Sequence, residues 1–222
     1  MKILKRILSL VLTASAVCGL ASCSKKPISD PSASSSSAPA ETTLVVTDKE
    51  TAAASGTEKQ SKFGKAVVVY FSCSGNTKGV ALKLAQEAGC DTYEIVPSKP
   101  YTPEDLNDNN KRSRAVREQN DKNARPEIEG MMIDLSSYDT VFIGYPIWCS
   151  KAPRILNTFV EAQSFEGKTV IPFCTSESSG IGTSATELAA LADNKGKWLN
   201  GTRFSSSVKN ADIAQWLAAL EG

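Results

Sequence analysis

The 222-residue sequence contains no histidine. This absence excludes catalytic triads built on an imidazole, histidine general bases and histidine metal ligands. The sequence also lacks a large excess of positive charge, since its formal net charge is only +1. A surface that binds nucleic acid is therefore not expected.

Residues 1–22 have the pattern of an export signal. Lys2, Lys5 and Arg6 form a positively charged start, and a mostly apolar stretch follows over residues 7–21. This stretch is too short to span a bilayer comfortably and has the length of the apolar part of a signal peptide.

The signal ends in Leu20, Ala21, Ser22 and Cys23, a sequence that resembles the lipobox of bacterial lipoproteins. The resemblance implies that the signal is removed and that Cys23 carries a lipid. The protein would then be exported and anchored to the extracytoplasmic face of a bacterial membrane. The alternative is a signal peptide cut near Ala21, with Cys23 incidental.

Residues 23–62 are predicted to form a disordered linker that begins at the lipidated Cys23. The stretch holds Pro27, Pro31, Pro39 and a serine run over residues 34–37. Its few apolar side chains cannot offset the entropy of ordering the chain. We expect it to hold a folded domain, residues 63–222, away from a membrane surface.

The chain has six cysteines, of which Cys18 lies in the signal and Cys23 is the candidate lipid site. Export would place the rest in an oxidising compartment, where they allow three complete disulfide pairings. Buried free thiols are the alternative. These cysteines are Cys73, Cys90, Cys149 and Cys174.

From residue 65 onward, segments typical of strands alternate with segments of helical spacing. The predicted strands cover residues 66–71, 91–96, 140–145, 169–174 and 202–204, and the predicted helices cover residues 77–87, 102–120, 153–161, 183–192 and 212–220. Five such β-α units predict an open parallel sheet with helices on both faces. Ligands of such sheets bind beyond the carboxyl ends of the strands, so the loops after Phe71, Tyr145 and Cys174 are the candidate site.

The first loop joins a buried strand directly to a helix N-terminus, where unpaired backbone N–H groups and the helix dipole favour an anion. Its hydroxyl groups can also donate to phosphate oxygens. No lysine occupies the position that a P-loop requires, which argues against hydrolysis of a nucleoside triphosphate. The alternative is an ordinary strand-helix turn with a hydroxyl cap. The loop consists of Ser72, Cys73, Ser74, Gly75, Asn76 and Thr77.

The second loop places Trp148 where an indole can stack on a flat ring, with packing into the core as the alternative. The third loop is small and polar, so its backbone can approach a ligand closely. A Gly-x-Gly-x-x-Ala pattern at residues 180–185 does not follow a strand at once, which argues against a dinucleotide site. Candidate ligand residues in the two loops are Pro146, Ile147, Trp148, Cys149, Thr175, Ser176, Glu177, Ser178 and Gly180.

Together the three loops resemble those of flavodoxins. Residues 72–77 match the phosphate loop of that family, Thr/Ser-x-Thr/Ser-Gly-Asn-Thr, throughout. Residues 144–148, 173–176 and 179–182 resemble a bacterial branch with Gly-Tyr-Pro-Ile-Trp, Phe-Cys-Thr-Ser and Ser-Gly-Ile-Gly segments. The resemblance covers residues 66–220.

The resemblance implies a flavodoxin-like α/β fold, an open five-stranded parallel sheet of order 2-1-3-4-5. It also implies FMN as cofactor, with its phosphate on residues 72–77 and its ring between the second and third loops. Two departures concern the ring site. Cys149 and Ser150 follow the tryptophan where that branch often has another aromatic residue and a glycine, and Glu177 and Ser178 replace glycines.

The expected function is electron transfer through FMN at the outer face of the membrane, to a redox partner protein or a small-molecule acceptor. One alternative is an FMN-dependent NAD(P)H oxidoreductase acting on a quinone or another small acceptor. Another is a binding or structural lipoprotein that has lost the flavin. The polar segment 101–125 is interpreted as a solvated helix face, or as a partner surface or a rim over the flavin.

Overall fold

The computed structural model describes residues 62–220, which form one parallel sheet with helices on both faces. The strands are β1 (Ala66–Tyr70), β2 (Asp91–Glu94), β3 (Thr140–Pro146), β4 (Thr169–Thr175), β5 (Lys197–Trp198) and β6 (Thr202–Phe204). The helices are α1 (Asn76–Ala88), α2 (Arg114–Asn120), α3 (Arg154–Glu161), α4 (Ser184–Leu191) and α5 (Asn210–Ala219). None of the helices in this part of the chain is long and apolar enough to cross a membrane.

The strand order is β2-β1-β3-β4-β5, and every pairing is parallel. The predicted 2-1-3-4-5 order is therefore confirmed. The fifth position contains two short strands, because β6 also pairs with β4, next to residues 173–175. The sequence predicted β6 and missed β5, whose two residues are too few to show a period.

Alternation along the strands divides the core into two layers. In β1, Val67 and Val69 face one layer, which α3 and α4 cover, whereas Val68 faces the other, which α1 and α5 cover. The three central strands are buried on both faces, which is why their sequences read as continuous apolar runs. Helices on both faces are thus confirmed.

The predicted helix over residues 102–120 is wrong in its first half. Thr102 does cap a turn, since its hydroxyl accepts the Asp105 backbone N–H at 3.2 Å. The regular helix, however, begins only at Arg114, behind the N-cap Ser113. Between them, the side chains of Asn107 and Asn110 accept backbone N–H groups two residues onward, at 3.1 and 3.0 Å. Such local bonds compete with helix formation.

Candidate functional site

The first loop leaves β1 and enters α1 through a left-handed glycine. Gly75 has φ of +83° and stands at the N-cap position of α1, where no side chain caps the helix. The first backbone N–H groups of α1 are therefore available to an anion at the end of β1. Gly75 thus makes a tight turn between β1 and α1.

Two hydroxyl groups of this loop have different environments. Ser72 Oγ is shielded from solvent and has no hydrogen-bond partner within residues 62–220. Thr77 is 1% exposed, and its Oγ1 lies 2.7 Å from Thr175 Oγ1 at the end of β4. Thr77 therefore ties the first loop to the third, whereas Ser72 holds a polar atom that a ligand oxygen would satisfy.

A cleft of about 180 Å³ lies where the three loops meet. It is lined by Ser74, Asn76, Pro146, Thr175, Ser176, Glu177, Ser205 and Ser206. Ser205 and Ser206 were missed by the sequence reasoning. They could have been predicted from their position directly after a strand, at the same edge of the sheet as the other loops.

The second loop contains a two-residue hairpin turn over residues 148–151. The backbone N–H of Trp148 donates to Lys151 O at 2.9 Å, and the backbone N–H of Lys151 donates to Trp148 O at 3.0 Å. Cys149 and Ser150 between them have φ of +47° and +64°. Positive φ at both central positions defines a type I′ turn, for which glycine and asparagine are preferred. The turn thus keeps a glycine-type conformation without a glycine.

Trp148 itself is half-buried and packs edge-on against two aromatic rings. The ring centroids lie 5.5 Å from Phe71 and 5.1 Å from Tyr101. The indole is therefore anchored by core contacts while part of it stays accessible. The two interpretations offered by the sequence, core packing and an accessible ring, describe different parts of one side chain.

Helix α2 supports this turn through Gln119. The Gln119 Nε2 donates to Trp148 O at 2.8 Å and to Ala152 O at 3.1 Å. These bonds fix both ends of the turn to a helix that is remote in sequence. Part of the polar segment 101–125 is therefore a buried support and not a solvated face.

A second contact from the same helix holds Tyr101. The phenol donates to Glu118 Oε2 at 2.6 Å, and Arg114 Nε donates to Glu118 Oε1 at 2.6 Å. The Arg114 guanidinium also lies 4.0 Å from the centroid of the Tyr101 ring. Burial, reinforced by the hydrogen bond to Glu118, raises the pKa of Tyr101 far above its ordinary value. The phenol is therefore a fixed neutral donor at physiological pH.

The four cysteines of the described domain are free thiols: Cys73, Cys90, Cys149 and Cys174. Cys73 is exposed as a residue, but desolvation of its thiol raises the pKa to about 12, although Arg114 opposes the shift. Cys73 is therefore a neutral thiol at physiological pH.

The third loop is held by a cation from β6. Arg203 Nη1 donates to Ser176 O at 3.0 Å and to Glu177 O at 3.2 Å. Glu177 lines the cleft, whereas Ser178 and Gly180 are exposed and lie outside its lining.

Comparison with known proteins decides the family. The model of the family described as flavodoxin matches residues 65–220, more than half of the chain. The chain belongs to the flavodoxin family. The resemblance seen in the loops is thereby confirmed. No curated protein matches the chain.

Solved structures of similar proteins have the same fold. A candidate flavoprotein from Bacteroides eggerthii is 45% identical, with a TM-score of 0.66, covering 71% of this chain and 99% of that one. A candidate flavoprotein from Bacteroides uniformis is 40% identical, with a TM-score of 0.67 and the same coverage. A flavoprotein from Lactobacillus acidophilus, solved in complex with FMN, is 21% identical, with a TM-score of 0.53, covering 68% of this chain and 97% of that one.

In this flavodoxin the residues predicted from sequence do not all gather at one point. Ser74, Asn76, Pro146, Thr175, Ser176 and Glu177 line the cleft together. Ser72 and Cys73 line a neighbouring cavity of about 180 Å³, which Tyr101 also lines. Ile147 is half-buried and donates its backbone N–H to Thr175 O at 3.1 Å, so it joins the second loop to the third. Cys23 lies outside the described residues.

Proposed function

We propose that this flavodoxin binds FMN and carries electrons through it. The observation that carries the proposal is the first loop, where, among residues 62–220, the shielded Ser72 hydroxyl lacks a hydrogen-bond partner beside a helix N-terminus without a side-chain cap. Membership of the flavodoxin family and the FMN complex of the Lactobacillus relative support the choice of cofactor.

The residues present fit the phosphate of FMN. Ser72, Ser74 and the backbone N–H groups that follow Gly75 would hold it, since they offer hydrogen-bond donors and a favourable dipole without a competing side-chain cap. When bound, FMN supplies the redox chemistry, and the chain supplies binding, orientation and electrostatics.

The flavin ring would lie between the second and third loops. Trp148 offers a partly accessible indole on a turn that Gln119 fixes. On the other side, Arg203 holds the backbone of residues 176 and 177. Both walls are thus positioned by contacts from outside their own loops, which favours a preorganised site.

The location belongs to the same proposal. A lipid on Cys23 would hold the domain at the outer face of the membrane, and residues 24–62 would give it reach. There it would exchange electrons with a redox partner protein or a small-molecule acceptor.

An absorption spectrum of the purified protein, with mass identification of the released chromophore, tests the proposal. We expect FMN, and we expect riboflavin to bind far more weakly, because it lacks the phosphate that the first loop would hold. Equal affinity for the two flavins, measured by fluorescence quenching, would reject the phosphate site. Rapid NADH or NADPH oxidation by the isolated holoprotein would replace the carrier with an oxidoreductase.

A further inference from the structure

Another cavity, of about 330 Å³, lies between α3 and α4. Its lining shares no residue with the cleft between the loops. Its volume falls within the range of small-molecule sites, which starts at about 300 Å³. The flavin proposed above does not account for this cavity.

Asn157 of α3 brings an unexplained polar group to this cavity. The residue is only 5% exposed and lines the cavity, and its side-chain amide is not among the fully buried unpaired groups of residues 62–220, so it meets the cavity and not the core. Its neighbours Leu156, Phe159 and Val160 are fully buried core residues. A ligand with a polar group that enters the cavity could pair with this amide, which both donates and accepts hydrogen bonds.

Two cations on the lining are free of acidic partners. Arg154 donates to Glu118 O at 3.3 Å and to Gln119 O at 2.9 Å, which leaves its Nη1 without a partner in the described domain. Lys122 is exposed, and none of the ion pairs among residues 62–220 includes its ammonium group.

The other charges on the lining are already balanced. Arg125 forms two bonds of 2.6 Å to the Glu161 carboxylate. Glu187 lies 3.4 Å from Lys151 Nζ. The uncompensated charge of the cavity is therefore positive, and it favours an anion.

The remaining lining consists of Ser184, whose hydroxyl lies 2.9 Å from the Tyr145 hydroxyl, and of the apolar residues Ala152, Leu188, Ala190 and Leu191. We propose that this cavity binds a small organic carboxylate. Its anionic group would face Lys122 and Arg154, whose guanidinium fork matches carboxylate geometry, and its apolar body would cover Leu188. Inorganic phosphate would leave this apolar part uncovered.

Fluorine NMR titration of the full-length protein with para-fluorobenzoate tests the site, with para-fluorobenzamide as the neutral counterpart. We expect the acid to bind at least about tenfold more tightly than the amide. Asn157→Leu should weaken binding of the acid by about tenfold, because leucine removes the amide that would pair with its polar group. FMN loading should not change the affinity.

Lys122→Gln provides a surface change that cannot prevent folding, and it should weaken binding by about threefold. The matched control is Lys111→Gln, an exposed lysine outside the cavity lining, which should change nothing. No binding of the acid at about 10 mM would overturn the proposal. It would also be overturned by equal affinities for acid and amide, by competition with FMN, or by equal effects of the two lysine changes.

Discussion

Gly75 sets the backbone that presents the first loop. Its φ of +83° is a conformation that β-branched residues resist, while a Cβ at this position would meet no atom within 4 Å. We therefore expect Gly75→Val to abolish FMN binding through the backbone and not through a clash. Flavin fluorescence quenching measures the loss.

Gly89→Val is the matched control, because Gly89 ends the same helix with φ of +64° and equally open surroundings. Both variants should lose about 1–2 kcal/mol of unfolding free energy. Only the Gly75 variant should lose FMN, and a folded Gly75 variant with unchanged affinity would contradict the phosphate site.

Trp148 is the candidate side chain for stacking on the flavin. Trp148→Ala should weaken FMN binding by about 1–3 kcal/mol, the range found for stacking of bases on aromatic side chains. Trp198→Ala serves as control, because Trp198 is also half-buried and packs on Phe165, with ring centroids 5.5 Å apart, but it pairs with Val170 near the start of β4 and does not line the cleft. Both changes should lower stability. If Trp148→Ala, like the control, leaves FMN affinity unchanged, Trp148 only packs in the core.

Cys73 should react slowly despite its place in the first loop. Burial raises the pKa of its thiol to about 12, so the thiolate is scarce below that pH and increases as pH rises towards it. Alkylation by iodoacetamide, followed by peptide mass spectrometry, should be slower at pH 8 than for a free cysteine, because the raised pKa leaves less thiolate. The rate should rise about tenfold per pH unit up to about pH 11. A rate near that of free cysteine would show that the thiol is not desolvated.

At the scale of elements, α2 acts as the support of the Trp148 turn. Gln119→Leu would remove the donor to Trp148 O and Ala152 O. Because the buried Gln119 Oε1 itself lacks a partner in the described domain, the net loss of stability should be only about 1 kcal/mol. FMN affinity should nevertheless fall severalfold, since the turn loses its anchor.

Gln163→Leu is the control for this change. Gln163 also uses its amide to hold a loop carbonyl, with Nε2 at 3.2 Å from Ile133 O, but on another part of the molecule. Urea unfolding should show a comparable loss of stability, while flavin titration should show no change. A Gln119 variant that binds FMN as tightly as the Gln163 variant would remove α2 from the site.

The elements that the sequence predicts well are those whose pattern is local. Apart from the second helix, the predicted segments end within two residues of the observed ones, since apolar runs and helical spacing follow from burial. The first loop was also predictable, because strand, glycine and helix are adjacent in the chain. The second helix was not, because the helix-start signal at Thr102 caps only a turn, and the side chains of Asn107 and Asn110 accept local backbone N–H groups before the helix begins.

The walls of the site were predictable only in part. Trp148 stood out as a loop aromatic, but nothing near Cys149 or Ser150 indicates a type I′ turn, for which neither residue is preferred. The support from Gln119 joins segments about thirty residues apart in the sequence. Such contacts are set by tertiary packing, which a periodic pattern does not contain.

At the scale of the whole molecule, the proposed lipid anchor on Cys23 would separate soluble from membrane-bound protein. Cys23→Ala should prevent lipidation and move the protein from the detergent phase to the aqueous phase, or leave it unprocessed. Cys18→Ala, a cysteine within the predicted signal, should leave partitioning unchanged. Detergent-phase partitioning that persists in the Cys23 variant would count against the lipoprotein proposal.

The edge strands on both sides of the sheet are short. On one side β2 has four residues, beginning with the exposed Asp91 and ending at Glu94. On the other side β5 and β6 have two and three residues and are separated by residues 199–201. Long, flat edge strands can pair with a strand of another chain, whereas short and charged edge strands disfavour such pairing. For a protein tethered among copies of itself, as the proposed anchor implies, this geometry disfavours edge-to-edge aggregation on a crowded membrane.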